Sequence, residues 1–154
     1  MRAERRRARE AAMRALYQVD LSGCAKEWAI QCALEQSQDL ELTERGKSFA
    51  NQLMQGSCER RQEIDGIIAE VAHDWSVSRM SPTDRNIMRI AIYEMLYLED
   101  VPVASSIDEA VEIAKLYGSA DSPRFVNGIL GTLAARLKRQ ASGSPEGADS
   151  DTAR

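Results

Sequence analysis

The stretch Arg85–Leu98 constrains the fold most. Placed at 100° per residue, its side chains after Arg85 and Asn86 are apolar on nearly every side of a helix except at Arg89 and Glu94. A helix apolar all round needs other elements on every flank, so the chain must be built around it. Its start is well marked. In Ser81-Pro82-Thr83-Asp84, Ser81 can cap, Pro82 suits the first helical position and Asp84 places negative charge in the first turn. Asp100-Val101-Pro102 breaks the helix at the other end.

The elements around it read as helices too. A first helix is predicted from Ala3 to Leu21, with Ala8, Ala11, Ala12, Ala15, Leu16 and Val19 on its core side. A second runs from Lys26 to Glu35, followed by a polar loop over Gln36–Leu42. Thr43-Glu44 opens a third helix. Ser57 is read as the cap of a fourth, which carries Ile64, Ile67, Ile68 and Val71 and ends near Trp75. After the central helix, Ser106-Ile107-Asp108-Glu109 has the form of a capping box, and Gly118 is a stop signal. Asp121-Ser122-Pro123 opens the last helix. Gly128 and Gly131 within it are read as points of close helix packing. Strand signals are absent, and an aromatic content of 5% argues against a β-sandwich. The expectation is an all-α single domain of about seven helices over residues 1–140. A Gly-, Ser-, Pro- and Asp-rich tail over 141–154 is expected to be disordered.

The net charge of -4 conceals an asymmetry. Six arginines (Arg2, Arg5, Arg6, Arg7, Arg9 and Arg14) crowd the first helix, while the rest of the chain is acidic. Arg2, Arg5, Arg6 and Arg9 share one arc, which Met13 and Tyr17 continue; Arg7 and Arg14 form a separate stripe. A basic arm on an acidic body points to a polyanion at one end. Arginine's planar fork pairs phosphates and stacks on bases. Tyr17 fits either the core or a stacking surface, and Phe125, beside Arg124 near a helix start, suits an exposed one. Catalysis finds little support: His73 is the single histidine, and no glycine-rich phosphate loop, metal cluster or nucleophile elbow is present. Three unpaired cysteines and the lack of any long apolar run predict a reduced, cytoplasmic protein without a membrane span.

Four blocks in order resemble the NusB family of bacterial transcription antitermination factors, across roughly Arg5–Leu137. They are Arg5-Arg6-Arg7-Ala8-Arg9 with Ala15-Leu16-Tyr17; Asp84-Arg85 through Met88-Arg89-Ile90-Ala91 to Tyr93-Glu94; Val101-Pro102 leading to Ile107-Asp108-Glu109-Ala110-Val111-Glu112-Ile113-Ala114-Lys115; and Phe125-Val126-Asn127-Gly128-Ile129-Leu130. The resemblance implies two three-helix bundles with an extra helix. It implies binding of single-stranded boxA-type RNA from ribosomal RNA leaders together with NusE, a small-subunit ribosomal protein, within an antitermination complex on RNA polymerase, and no enzymatic role or cofactor. By the same resemblance Arg5, Arg6, Arg7 and Arg9, with Asp121, Ser122, Arg124 and Phe125, face RNA, and Asp84 meets NusE. Arg89 either reaches RNA or joins a buried ion pair, and its otherwise apolar helix favours the pair. Two departures stand out: Asp108 where the family usually has asparagine, and Ala104 where some members carry a basic residue. An alternative reading is a helical accessory protein or homodimeric scaffold in ribosomal RNA processing, with the basic face turned to protein.

Overall fold

A computed structural model describes residues 2–36, 39, 41–73 and 75–152, with side chains to residue 142. Seven α-helices make up the described residues, without a strand: α1 (Arg2–Ser22), α2 (Lys26–Gln36), α3 (Glu44–Glu59), α4 (Arg61–Val71), α5 (Pro82–Tyr97), α6 (Val103–Tyr117) and α7 (Ser122–Thr152). Helices α1, α2 and α3 pack against one another as one bundle, and α5, α6 and α7 as a second. The two bundles join where α1 and α3 pack on α5, and α4 bridges α3, α5 and α7. None of these helices is long and apolar enough to cross a membrane.

Local chemistry explains most boundaries. Thr43 caps α3 by accepting the Gly46 N–H, and Ser81 caps α5 by accepting the Asp84 N–H at 3.1 Å. Gly23, at φ 71°, ends α1 in the left-handed region that glycine adopts without strain. Several expectations are corrected. Ser57 is buried inside α3, and α4 starts at Arg61 and stops at Val71, short of Trp75. Ser106 and Glu109 are no capping box, because α6 already begins at Val103 behind Pro102; both side chains are turned inward to charged partners. Gly128 and Gly131 are exposed, with open space where a methyl group would stand. The close approach is made instead by Gly56, where a methyl group would overlap the Tyr93 ring. The core contacts of α7 end at Leu137. Its backbone nevertheless stays helical over 141–152, where composition points to disorder; once nucleated, a helix extends by one hydrogen bond per residue.

The core is a single cluster of Ala, Leu, Ile and Met side chains running through both bundles. The alanine stripe of α1 is wholly enclosed, and so are the apolar side chains of α5 up to Ile92. Small side chains on α1 let it lie close to α2, α3 and α5 at once. A network of charges ties the end of α1 to α4 and to the start of α5. Asp20 accepts hydrogen bonds from Arg85 (2.6 Å), Asn86 (3.0 Å), Arg89 (3.0 Å) and Arg61 (3.2 Å). Arg89 also grips both carboxylate oxygens of Asp65 at 2.8 Å. It is therefore a buried ion-pair member, as its apolar helix suggests.

Burial alone would raise the Asp20 carboxyl, but the Arg85 hydrogen bond, the Arg89 charge and the Asn86 amide outweigh it and hold it at about 2. A carboxyl depressed in the folded state adds stability above its unfolded value of roughly 3.9, and that stability is lost as pH falls through the folded value. Wild-type protein should therefore lose urea resistance between about pH 4 and pH 2. Asp20→Asn should flatten that part of the profile. Gly56→Ala should lower the unfolding free energy by about 1–3 kcal/mol through overpacking against Tyr93, read from the urea midpoint.

Candidate nucleic-acid interface

Helix α1 lies antiparallel to α5 and parallel to α6. Arg9 meets Glu94 near one end of α1, and Asp20 meets Arg85 at the other. Along α6, Glu109 lies beside Arg2 and Arg6, and Tyr117 beside Glu10 and Arg14. These pairings fix where each predicted arginine goes.

The arginines of the shared arc do not project as one free cationic face. Arg9 is buried, donating to Glu94 from Nε at 2.9 Å and from Nη2 at 2.6 Å, with Ser106 also reaching Glu94. Arg2 and Arg6 both bind the buried carboxylate of Glu109. Burial would raise that carboxyl, but the hydrogen bonds from Arg6 and Arg2 hold it below the usual carboxylate range. Arg5 lies 3.8 Å from Asp100, and its guanidinium stacks 4.8 Å from the centre of the Phe49 ring. The Nε of Arg7 is buried and has no hydrogen-bond partner. Arg14 donates to Tyr117 at 2.6 Å, and Tyr117 in turn donates to Glu10 at 2.9 Å. Arg2 remains largely exposed, with Arg5 and Arg6 partly so, and the rest of each guanidinium is held in a fixed orientation.

Tyr17 is seven residues beyond Glu10 on the same side of α1. Because α6 ends level with Glu10 and Arg14, it leaves Tyr17 uncovered, 38% exposed. Past it, the turn after α6 leads into α7. There the structure gathers the remaining predicted residues. Asp121 and Arg124 are exposed, Phe125 is half-buried, and Ser122 is buried, its Oγ accepting the Ser119 N–H at 2.9 Å. Asp84 is buried (8% exposed) on the neighbouring first turn of α5 and shares a cleft with Asp121, Ser122 and Phe125.

Helix periodicity set the arginines apart but could not reveal three further residues at this end. Trp75, 54% exposed, packs edge-on against Phe125 with ring centres 6.0 Å apart and planes at 71°. Arg79 follows in a short 3-10 turn, and His73 lines the other side of the aromatic pair. Among the described residues, Arg79 and Arg124 form no ion pair. The available signal was an aromatic in a polar segment, off any apolar stripe. Along α1, Arg6 and Asp20 lie about 20 Å apart at 1.5 Å per residue. Among the described residues, no three His, Cys, Asp or Glu side chains come together as a metal site requires.

Fold and surface together define a small, all-helical double bundle with carboxylate-held arginines on α1 and an arginine-flanked aromatic pair at the start of α7. Residues 6–135 match the model of the NusB family, and the chain belongs to that family. A transcription antitermination protein NusB from Symbiobacterium thermophilum is 41% identical over 152 residues, covering 96% of this chain and 99% of its own. Another from Heliobacterium modesticaldum is 41% identical over 134 residues, covering 87% of this chain and 64% of its own length. Among solved structures, a complex of the antitermination factors NusB and NusE with dsRNA is similar at a TM-score of 0.77 and 25% identity, covering 85% of this chain and 96% of that one.

The burial of Arg9 separates it from its neighbours. Arg9→Met should leave the Glu94 carboxylate buried without a charge partner and cost roughly 3–5 kcal/mol of stability. Arg124→Ala, on the surface, should cost less than about 0.5 kcal/mol. Chemical unfolding of the two variants distinguishes a bundle-pinning arginine from a solvent-facing one.

Proposed function

We propose that the chain is a non-catalytic transcription antitermination factor of the cytoplasm. It binds boxA-type RNA of ribosomal RNA leader transcripts together with NusE, as part of an antitermination complex on RNA polymerase. The observation that carries the RNA reading is the pairing of exposed Trp75 with half-buried Phe125, flanked by Arg79 and Arg124. Aromatic faces beside cations suit an unpaired strand, whose bases stack while its phosphates are neutralised.

In this reading one strand runs the length of α1. Arg5 and Arg6, oriented by Asp100 and Glu109, hold phosphates at one end, with Arg7 beside them. Tyr17 offers a surface in the middle, and Asp121, Arg124 and Phe125 receive bases and backbone at the other end. Arg9 and Ser122 act from beneath, Arg9 by fixing α1 and Ser122 by shaping the turn into α7. NusE meets the chain at the start of α5. Asp84, in the first turn of that helix, lies at this contact. The domain ends near residue 140, where α7 leaves the core.

Titrations of single-stranded boxA-type RNA at several salt concentrations test this. Phe125→Ala should weaken binding by about 5- to 100-fold, a lost base stack, with little change in salt dependence. Arg6→Glu should weaken binding and make the log–log salt slope shallower by about 0.7 or more. Unchanged affinity for both folded variants would contradict the surface assigned here.

A further inference from the structure

A groove of about 520 Å³ runs between the end of α4 and one face of α7. That volume lies within the roughly 300–1,000 Å³ of pockets that enclose small ligands. Val71, Ala72 and Trp75 form one wall, and Phe125, Gly128, Ile129 and Thr132, at helical spacing on α7, form the other. The walls are fixed in place. Val71, Ala72 and Ile129 belong to the core, and one turn beyond Thr132 the Arg136 side chain donates to Glu70 of α4 at 3.0 Å. Gly128 lies midway along the α7 wall. Glycine inside a helix is less stable than alanine, and a methyl group at this position would meet nothing within 4 Å. Packing therefore gives no reason for a bare backbone here, whereas the missing side chain keeps the groove open. Thr132 turns its hydroxyl back to the Gly128 carbonyl at 2.9 Å.

We propose that this groove receives one unstacked base of the bound RNA strand, laid over Gly128 and against Trp75, with Arg124 at the rim meeting an adjoining phosphate. The inference rests on the RNA-binding reading above. A base is flat and apolar on both faces, so it suits a slot between an indole ring and a stretch of helix without a side chain. Trp75 is exposed and packs edge-on against Phe125, which leaves ring surface open to the groove. The groove also continues the surface assigned to stacking, because Phe125 lines it; a strand that reaches Phe125 is delivered to its mouth. The rim carries Asp121, His73 and Arg124, and Arg124 forms no ion pair among the described residues. An apolar side chain of a protein partner would use the walls and leave that cation idle, whereas a nucleotide engages both.

The test is a titration of single-stranded boxA-type RNA against Gly128→Leu, which fills the groove, and Gly131→Leu, which places the same side chain on the same helix outside it. Neither substitution should lower the melting temperature, since each replaces an exposed helical glycine. Gly128→Leu should weaken binding about 5- to 100-fold, the loss of one stacked base, and Gly131→Leu should bind as wild type does. Trp75→Ala, a second change in the groove wall, should weaken binding in the same range. A set of RNAs with one abasic nucleotide, moved stepwise along the strand, then locates the base. At one position its removal should weaken binding to wild type and make no difference to Gly128→Leu. Wild-type affinity in Gly128→Leu, with Phe125→Ala still weakened, would overturn the groove and leave the RNA surface standing. Wild-type affinity in Phe125→Ala as well would overturn both. A weakened Gly128→Leu with no abasic position whose effect disappears would overturn base insertion. An effect of Gly128→Leu seen only with NusE present would make the groove a protein-docking site and overturn its assignment to RNA.

Discussion

The antiparallel contact between α1 and α5, pinned by charge at both ends, is the constraint on which the rest of the structure depends. At one end Arg9 is locked onto Glu94; at the other Asp20 gathers Arg85, Asn86 and Arg89. Between them lie the alanines of α1 and the apolar side chains of α5, which on their own would permit several registers. Apolar surfaces are forgiving about sliding, whereas a buried charge that loses its partner is not. The two ion pairs thus select one register. Because α1 belongs to the first bundle and α5 to the second, they also set how the bundles meet. The orientation of the surface follows from that: α6 brings Glu109 under Arg2 and Arg6, and the start of α7 falls beside the start of α5.

A counterintuitive feature of the arginine-rich helix becomes clear in this light. The arginines are not simply excess positive charge. Glu94, Glu109 and Asp100 pair with Arg9, with Arg2 and Arg6, and with Arg5, and hold those guanidiniums at fixed angles. A preorganised arginine loses less entropy on meeting a phosphate than a free one. A partly neutralised face also attracts polyanions less indiscriminately, which favours selective contacts elsewhere on the surface. Two cations that form no ion pair among the described residues, Arg79 and Arg124, stand beside the aromatic pair, where base and backbone would be engaged together.

Much of the fold was legible because its signals are local. The all-round apolar character of α5, the Ser81-Pro82-Thr83-Asp84 start and the alanine stripe of α1 each follow from the periodicity of a single helix. The misread caps show where local rules stop. Ser57 and Ser106-x-x-Glu109 have the composition of helix starts, but tertiary packing drew them inside helices, Ser106 and Glu109 to face Glu94 and the arginines. The site was legible in part. Periodicity placed Arg2, Arg5, Arg6 and Arg9 on one arc, yet whether an arginine is free or paired depends on acids about 85 to 107 residues away, which no helical wheel contains. Trp75 was missed for the same reason, since its role comes from Phe125 fifty residues further on.

In the proposed function one RNA strand is held at two ends of the surface, the arginines of α1 and the start of α7, whose placement follows from the pinned α1–α5 register. The most direct test of this two-ended hold is the affinity of single-stranded boxA-type RNAs shortened stepwise from one end, measured for wild type, Arg6→Glu, Phe125→Ala and the double variant. Two-ended binding predicts a step in affinity once the strand spans both ends, and predicts that the two substitutions act together only on strands longer than that step. A smooth length dependence, with each substitution equally damaging on the shortest strands, would contradict it.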